Sequence, residues 1–328
     1  MTSIHDVAAL AQVSIKTVSR VVNKAPNVSA ELRNRVQAAI DELGYRPNQS
    51  ARRLAGGRSF MVAFLYNNPA PGYVSRIQIG AAWRCRELGY HLVVEPISPG
   101  GEESFDVLDR LVAALRPDGV LLVPPLSDDA GLLARLAEMG LPYARIAGAG
   151  ETAGFTVPTP EQAGGRMVAD HLVALGHRRI GVITPPSTHH AALRRVEGFR
   201  DGLAAAGLTV DDSLFMQGRF DFASGIEAGE ALLALPEPPS AIFATNDEMA
   251  LGVLTLAHRI GLRVPEDLSV AGFDDTSASL TSWPPLTTVR QPLEDMGRCV
   301  IDALARGPAE APDFLFTLIP RGSTGPLG

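Results

Sequence analysis

Between positions 14 and 23 the chain sets Ile15, Lys16, Thr17, Ser19 and Arg20 within about two helical turns. Lys and Arg match the O6/N7 edge of guanine, and Ile15 suits the methyl group of thymine. Ser14, Thr17, Ser19 and Asn23 are short donors of the kind that hold phosphates and fix register without reading sequence. Further along, potential ligand-contacting positions stand directly after apolar runs: Asn67-Asn68, Pro124, Arg145, Thr184, Asn246 and Asp274. Where such runs are parallel strands, residues at their carboxyl ends line a ligand cleft.

Other chemistries lack their residues. Two cysteines, Cys85 and Cys299, are too few for a disulfide framework or a four-sulfur metal site. Cys85 stands among apolar residues and reads as packing. Gly148-Ala149-Gly150-Glu151-Thr152-Ala153-Gly154 resembles a dinucleotide fingerprint, but its third glycine comes one place late and Thr156-Val157-Pro158 follows where a helix must start. There is no G-x-S-x-G nucleophile elbow, and Lys16 and Lys24, both near the start, leave no lysine for a phosphate-binding loop in the body. No catalysis, metal or cofactor is expected.

At 328 residues the chain is long enough for about two domains. Hydrophobic residues at 46% and charged residues at 20% are ordinary for a globular chain. The best apolar run, Phe60 to Tyr66, is seven residues, far short of the roughly 18 that span a bilayer. Met1 to Leu10 carries His5 and Asp6 and does not read as a secretion signal. A cytoplasmic protein without membrane contact is expected.

Charge is unevenly placed. Residues 1–58 carry nine Lys/Arg against four Asp/Glu, a net +5, while residues 59–328 carry −12 of the total −7. A basic head on an acidic body points to a polyanion at the head alone. Ser3 with Asp6 forms a capping-box pattern before Ile4, Val7, Ala8 and Ala11. Gln12-Val13 is a tight break, and Ser14 caps a second helix with Val18, Val21 and Val22 inward. Ser29 caps a third carrying Leu32, Val36, Ala39, Ile40 and Leu43, stopped by Gly44. Helix, tight turn, helix is the helix-turn-helix arrangement, whose second helix enters the major groove. Gln49 to Leu54 is a short helix-permissive stretch, and Gly56-Gly57 is a joint to the body.

In the body, strand-like runs at Met61–Tyr66, Leu92–Glu95, Gly119–Val123, 142–146, Ile180–Thr184, Ala241–Ala244 and Leu268–Ala271 alternate with helical stretches. The latter fall near 76–88, 104–115, 130–139, 161–175, 191–206, 224–235, 247–260 and 293–305. This alternation predicts parallel sheets covered on both faces, and the length favours two lobes.

Ile4-His5-Asp6-Val7-Ala8, Val13-Ser14 and Lys16-Thr17-Val18-Ser19-Arg20-Val21-Val22-Asn23, then Gly44-Tyr45-Arg46-Pro47-Asn48 and Ala51-Arg52-Arg53-Leu54, resemble the head of the lactose-repressor/galactose-repressor (LacI/GalR) family. The resemblance continues through Leu175-Gly176-His177, Arg195 with Gly198-Phe199, Thr245-Asn246-Asp247, Gly272-Phe273-Asp274-Asp275, Pro284-Pro285-Leu286-Thr287-Thr288 and Gln291-Pro292. It implies an N-terminal all-α helix-turn-helix head and an α/β two-lobed core like the type I periplasmic binding proteins. The head is 1–46, the hinge helix and linker 47–58, and the effector-binding and dimerisation core 59–328. The N-lobe would comprise about 59–158 and 290–319, the C-lobe about 159–289 and 320–328.

The resemblance further implies a sequence-specific transcriptional regulator, a repressor that binds a pseudo-palindromic operator in double-stranded DNA as a homodimer. A small effector, a sugar or sugar derivative, controls it. Ile15, Lys16 and Arg20 take the base-reading positions. Asn48, Ala51, Arg52 and Leu54 belong to the hinge, with Leu54 the wedge in the minor groove. Arg195, Asn246, Asp274 and Phe220 take effector positions, and the N-lobe adds Asn67, Asn68 and Tyr73. His189 and His190, just before Arg195, are placed to bond a hydroxyl; no Cys/His/acid cluster stands near them at metal-ligand spacing.

One departure bears on the ligand. Ala147 stands where many members carry an acid, so the contact that acid makes is absent and Arg145 is the replacement candidate, which with Arg195 would favour an acidic sugar. A purine-type effector is the alternative ligand, since Phe220 stacks on either. A stand-alone solute-binding protein shares the body but not the basic head.

Overall fold

The structure, a computed structural model, describes residues 2–22, 27–45, 58–98 and 102–328. Asn23 and the hinge residues Asn48, Ala51, Arg52 and Leu54 lie outside them. The chain divides into two compact units, Met1–Ser59 and Phe60–Gly328.

In the first unit, α1 (Ile4–Leu10), α2 (Ile15–Val22) and α3 (Ala30–Glu42) close around Val7, Ala8, Ala11, Val18, Val21, Val36, Ala39 and Tyr45. The capping box forms: Ser3 Oγ accepts from Asp6 N and Asp6 Oδ2 accepts from Ser3 N at 2.8 Å. The break between α1 and α2 is a Schellman turn. Val13 N donates to Ala8 O at 3.0 Å and Gln12 N to Ala9 O at 3.2 Å. Its left-handed residue is Gln12, with φ 52, where Gly44 performs the same task after α3 with φ 58.

The second unit holds two parallel sheets. In the N-lobe, β1 (Met61–Tyr66), β2 (His91–Pro96), β3 (Gly119–Leu122), β4 (Tyr143–Ile146) and β5 (Phe155–Val157) run in the order β2-β1-β3-β4-β5. In the C-lobe, β6 (Ile180–Thr184), β7 (Phe215–Gln217), β8 (Ala241–Ala244) and β9 (Ser269–Ala271) run β7-β6-β8-β9. Both orders reverse direction next to the first strand of the lobe, the place where such sheets open a crevice. Helices α4 (Pro71–Leu88), α5 (Glu102–Leu115) and α6 (Ala130–Glu138) cover the first sheet. The second carries α7 (Glu161–Ala174), α8 (His190–Ala205), α9 (Phe222–Leu233) and α10 (Asp247–Arg259), followed by the short α11 (Ser277–Thr281).

The chain crosses between lobes more than once. After β10 (Thr288–Arg290), α12 (Leu293–Arg306) returns to pack on α4, β3, β4 and β5. Then β11 (Thr317–Ile319) pairs antiparallel with β10, Val289 opposite Leu318, and the tail rejoins the C-lobe. There Val270 N donates to Ser323 O at 2.8 Å and Leu327 N to Leu175 O at 2.9 Å. One apolar core runs through both lobes, with Phe64 and Leu121 on one side and Phe199, Phe243 and Phe273 on the other.

Helix α4 begins at Pro71, five residues before the sequence pattern predicts a helix. Proline at the first helical position needs no N–H partner, so the cluster Pro69-Ala70-Pro71-Gly72 starts a helix rather than delaying one. Strands β5, β7, β10 and β11 have three residues each, too few to display alternation.

The packing of α7 on α8 decides where the functional side chains of the C-lobe stand. Gly165 and Gly198 face the partner helix reciprocally: a Cβ at Gly165 would overlap the Arg195 carbonyl, and one at Gly198 the Gln162 carbonyl. Backbone meets backbone here, so neither helix can yield by turning a side chain. Gly165→Ala is therefore expected to destabilise the core by roughly 1–3 kcal/mol in urea denaturation, and a substitution without effect would remove this account of the contact.

Candidate functional site

In the head, Ser14 Oγ caps α2 by accepting from Thr17 N at 3.1 Å, and it lies 2.9 Å from the Thr17 hydroxyl. Val18 and Val21 anchor the helix in the core, which turns Ile15, Lys16 and Arg20 outward; all three are exposed. Ser19 is half-buried beside them. The structure thus presents two cations and a 41%-exposed isoleucine on one face of the second helix, the composition that direct readout of base edges uses.

In the core, the carboxyl ends of the strands and the first turns of α4 and α8 line a tight cavity of about 10 Å³, room for about one water. Asn68 and Tyr73 reach it from the N-lobe, and His189, Arg195, Phe220 and Asp274 from the C-lobe. Arg195 is only 5% exposed. Its Nε donates to Glu161 Oε2 at 2.6 Å, its Nη1 donates to Thr245 O at 2.8 Å and lies 3.5 Å from Asp274 Oδ1. The guanidinium lies 4.0 Å from the centre of the Phe273 ring. Burial disfavours its charge, but Glu161 and Asp274 outweigh that and hold its pKa above the ordinary value.

Asp274 is held by Gln291, whose Nε2 donates to Oδ1 at 2.6 Å. Burial, opposed by Arg195, raises its pKa well above the usual carboxylate range. Behind it Asp247 accepts from Thr288 Oγ1 at 2.6 Å and from Thr276 N at 2.7 Å, and burial pushes its carboxyl up to about 7. Burial likewise raises the Tyr73 phenol, which stays a neutral donor.

Two ring nitrogens of His189 are buried without a hydrogen-bond partner among the described residues, as is Gln291 Oε1. The imidazole packs on Phe220 with ring centres 4.5 Å apart. Burial, with Arg195 and His190 nearby, drives the His189 pKa down to about 3. A neutral imidazole carries one donor and one acceptor, and leaving both buried and unmatched is costly. Phe220, with φ 64, and Asp274, with φ 111, both sit in left-handed backbone conformations, which non-glycine residues adopt only where the surroundings impose them.

Four expected effector residues fall elsewhere. Arg145 is buried: Nε donates to Thr156 Oγ1 at 2.8 Å, Nη1 to Ser127 O at 3.1 Å, and Nη2 to Gly150 O. With its donors turned to its own lobe it does not line the cavity, and the acidic-sugar expectation loses that cation. Asn246 is the N-cap of α10, accepting from Met249 N at 3.0 Å and donating to Phe220 O at 2.9 Å; it positions Phe220 instead of lining the cavity. Asn67 spends its amide on Ile97 O at 2.8 Å. His190 is exposed and faces a neighbouring outer cavity. Conversely, Glu161 and Gln291 were not singled out by sequence as functional. The only signal for Glu161 was an acid in the first turn of a helix.

Among the described residues there is no cluster of three His, Cys, Asp or Glu suited to a metal ion, and no helix long and apolar enough to cross a membrane. A helix-turn-helix head joined to a two-lobed core with a polar ligand cavity defines a ligand-responsive DNA-binding regulator. Residues 3–48 match the bacterial regulatory proteins of the lacI family, and residues 169–324 a periplasmic binding protein-like domain. The HTH-type transcriptional regulator CelR of Thermobifida fusca is 38% identical over 300 residues, 89% of this chain and 87% of that one. A solved CelR–cellobiose complex superposes with TM-score 0.72 at 33% identity, covering 98% of this chain and all of the other. The lac repressor dimer bound to operator and the anti-inducer ONPF superposes with TM-score 0.80 at 32% identity, covering 99% of each chain. The chain belongs to the lacI family of bacterial regulatory proteins.

The His189 pKa has a testable consequence for stability. Below about pH 6.5 the unfolded chain takes up a proton at this position that the folded chain refuses, so stability falls as pH drops toward about 3. Between pH 7.5 and pH 5 the protein should lose about 2 kcal/mol relative to His189→Gln. Paired urea titrations at the two pH values measure this, and a pH-independent difference would contradict the neutral buried imidazole.

Proposed function

We propose that the protein is a transcriptional repressor that grips a pseudo-palindromic operator as a homodimer and changes its grip when a sugar opens and occupies the cleft lined by these residues in the core. It acts by binding rather than catalysis, in the cytoplasm where the operator is. The observation that carries the effector half is the convergence of the buried His189, Arg195, Phe220 and Asp274 on one cavity, with unmatched imidazole nitrogens beside a compensated guanidinium. Donors and acceptors around a single aromatic face suit vicinal hydroxyls and the apolar face of a sugar ring. The relative solved with cellobiose supports the same class of ligand.

The head supplies the DNA half through Ile15, Lys16 and Arg20, with Ser14, Thr17 and Ser19 toward the phosphates; Asn23 and the hinge residues through Leu54 complete it on the family resemblance. Two heads on a dyad require a self-complementary face on the core. Trp283, 81% exposed, with Leu280 and Phe222 nearby on the C-lobe supplies apolar area of the sort such a face uses. The lac repressor relative was solved as a dimer on its operator. Ligand closure would turn the lobes about the crossings near residues 158, 290 and 320.

Gel shifts on DNA upstream of the protein's own gene test the first half. Lys16→Ala is expected to relax base preference at one position of each half-site, at about 1–3 kcal/mol of discrimination, whereas Ser19→Ala weakens all sites alike. Absence of sequence preference at moderate salt would refute the reading. For the effector, Arg195→Ala is expected to keep operator affinity within about threefold while abolishing its response to ligand. Loss of both together would contradict separate sites.

A further inference from the structure

Among the described residues that line the core cavity, Arg195 is the one permanent cation, and burial keeps His189 neutral. The Arg195 charge is already answered. Glu161 Oε2 lies 2.6 Å from its Nε and Asp274 Oδ1 lies 3.5 Å from its Nη1, and both acids are as buried as the guanidinium, 4% and 3% exposed against 5%. Two carboxyls thus face one cation. The nearby arginines add nothing to the balance: Arg194 lies 3.4 Å from Glu197, and Arg145 turns its donors to Thr156 and Ser127 of its own lobe. Asp274 lines the cavity itself, whereas Glu161 stands behind the lining and bears on it through Arg195.

We propose that Glu161 is a charge filter: by neutralising Arg195 from behind, it restricts the effector to molecules that are uncharged where they meet the guanidinium, and it excludes sugar acids and sugar phosphates. The inference rests on the sugar reading above and adds the charge class of the ligand and the residue that sets it.

The pair cannot separate to make way for an anion. Glu161 opens α7 and Arg195 lies in the second turn of α8, and the glycine contact between those helices leaves neither backbone room to shift. An acid in the first turn of a helix also stands where the helix dipole favours negative charge. The cavity holds about one water as it stands, so a ligand enters as the lobes part. Glu161, Arg195 and Asp274 stand on α7, α8 and the loop after β9, all in the C-lobe, and their charge balance travels with that lobe through any opening. The influence of Glu161 extends past Arg195. Burial first, and the Glu161 charge with it, opposes ionisation of the Tyr73 phenol and of the Asp274 carboxyl. A carboxylate or phosphate carried in by a ligand would meet the same opposition.

Hydrogen bonding selects in the same direction. The neutral His189 ring offers one donor and one acceptor, both unmatched among the described residues. Gln291 and Arg195 both engage Oδ1 of Asp274, which leaves Oδ2 to accept from a ligand. A hydroxyl both donates and accepts, whereas an ionised carboxylate only accepts and leaves those acceptors unanswered. Glu161 is accordingly a positioning residue with a second effect, and the second effect can be read separately.

Thermal-shift titration of the full chain tests the filter, with glucose against glucuronate, galactose against galacturonate, ribose against ribose 5-phosphate, and inorganic phosphate as the smallest anion. The wild type is expected to be stabilised by a neutral member of the set and by no anion acting through Arg195. Glu161→Gln keeps an acceptor for Arg195 Nε and removes the charge. It should gain at least about tenfold in affinity for one or more of the anions, and the double variant Glu161→Gln/Arg195→Ala should lose that gain. A residue that only supported the fold would lower the melting temperature without any gain, and that result would overturn the filter. An anion that stabilises the wild type but not Arg195→Ala would overturn it too, and this comparison does not require Glu161→Gln to fold; Glu161→Asn provides a second uncharged variant. Neutral sugars that stabilise neither protein while the anion gain holds would remove the sugar reading and leave the filter standing.

Discussion

A guanidinium with almost no access to water sits at the centre of this protein, and the rest of the core is arranged so that it can stay charged. Burying an uncompensated cation costs several kcal/mol even after relaxation. Arg195 is compensated by Glu161 on one side and Asp274 on the other, with a backbone carbonyl and the face of Phe273 completing its shell. The partners come from three elements: Glu161 from the first turn of α7, Phe273 and Asp274 from the loop after β9, and the Thr245 carbonyl from the end of β8. The glycine contact between α7 and α8 sets the distance from Glu161 to Arg195, and Gln291 and the Asp247 cluster set the position of Asp274. Such a triad is weak evidence for stability. Its value is to hold a charged donor at a fixed place where a ligand's hydroxyls meet it already desolvated.

The lobes meet around that centre. Arg76 of α4 donates to the carbonyl of Asp275 at 3.2 Å, and Gly72 comes close enough to Thr276 that a side chain there would be crowded. Asp275 itself accepts from Arg290 at 2.6 Å and from Arg321, on the strands and tail that cross between lobes. The loop bearing Asp274 and Asp275, both with positive φ, is therefore tied to the ligand cavity, to the N-lobe and to the crossings at once. A ligand that alters this loop has a physical route to the relative position of the lobes, which is what a difference in DNA affinity requires.

The head follows a different economy. Its core is a handful of valines and alanines with Tyr45, so little area holds it, and the caps matter correspondingly more. Gln12 occupies a left-handed position where Gly44 does the same after α3. The turn between α1 and α2 is thereby kept short, and α2 is held with Lys16 and Arg20 turned to solvent.

Much of this was legible in the residues alone. Caps at Ser3, Ser14 and Ser29, the apolar spacing in three short helices, the alternation of runs and helices in the body and the basic head are local features, and the structure places each where local physics predicts. The N-terminal side of α2 and the inner residues Asn68, Tyr73, His189, Arg195, Phe220 and Asp274 were also within reach, because strand ends and family motifs mark positions along the chain. What a marked position does with its polar atoms was not. Arg145 and Asn246 carry the right chemistry at the right strand ends, yet one spends its donors on carbonyls of its own lobe and the other caps a helix and holds Phe220 in place. Glu161 carries no distinguishing pattern and becomes indispensable only because α7 packs glycine-close on α8. Sequence determines which groups stand near the cleft through periodicity and capping. Which of them remain available to a ligand is decided by competition among buried donors and acceptors, and that competition exists only once distant segments have been brought together.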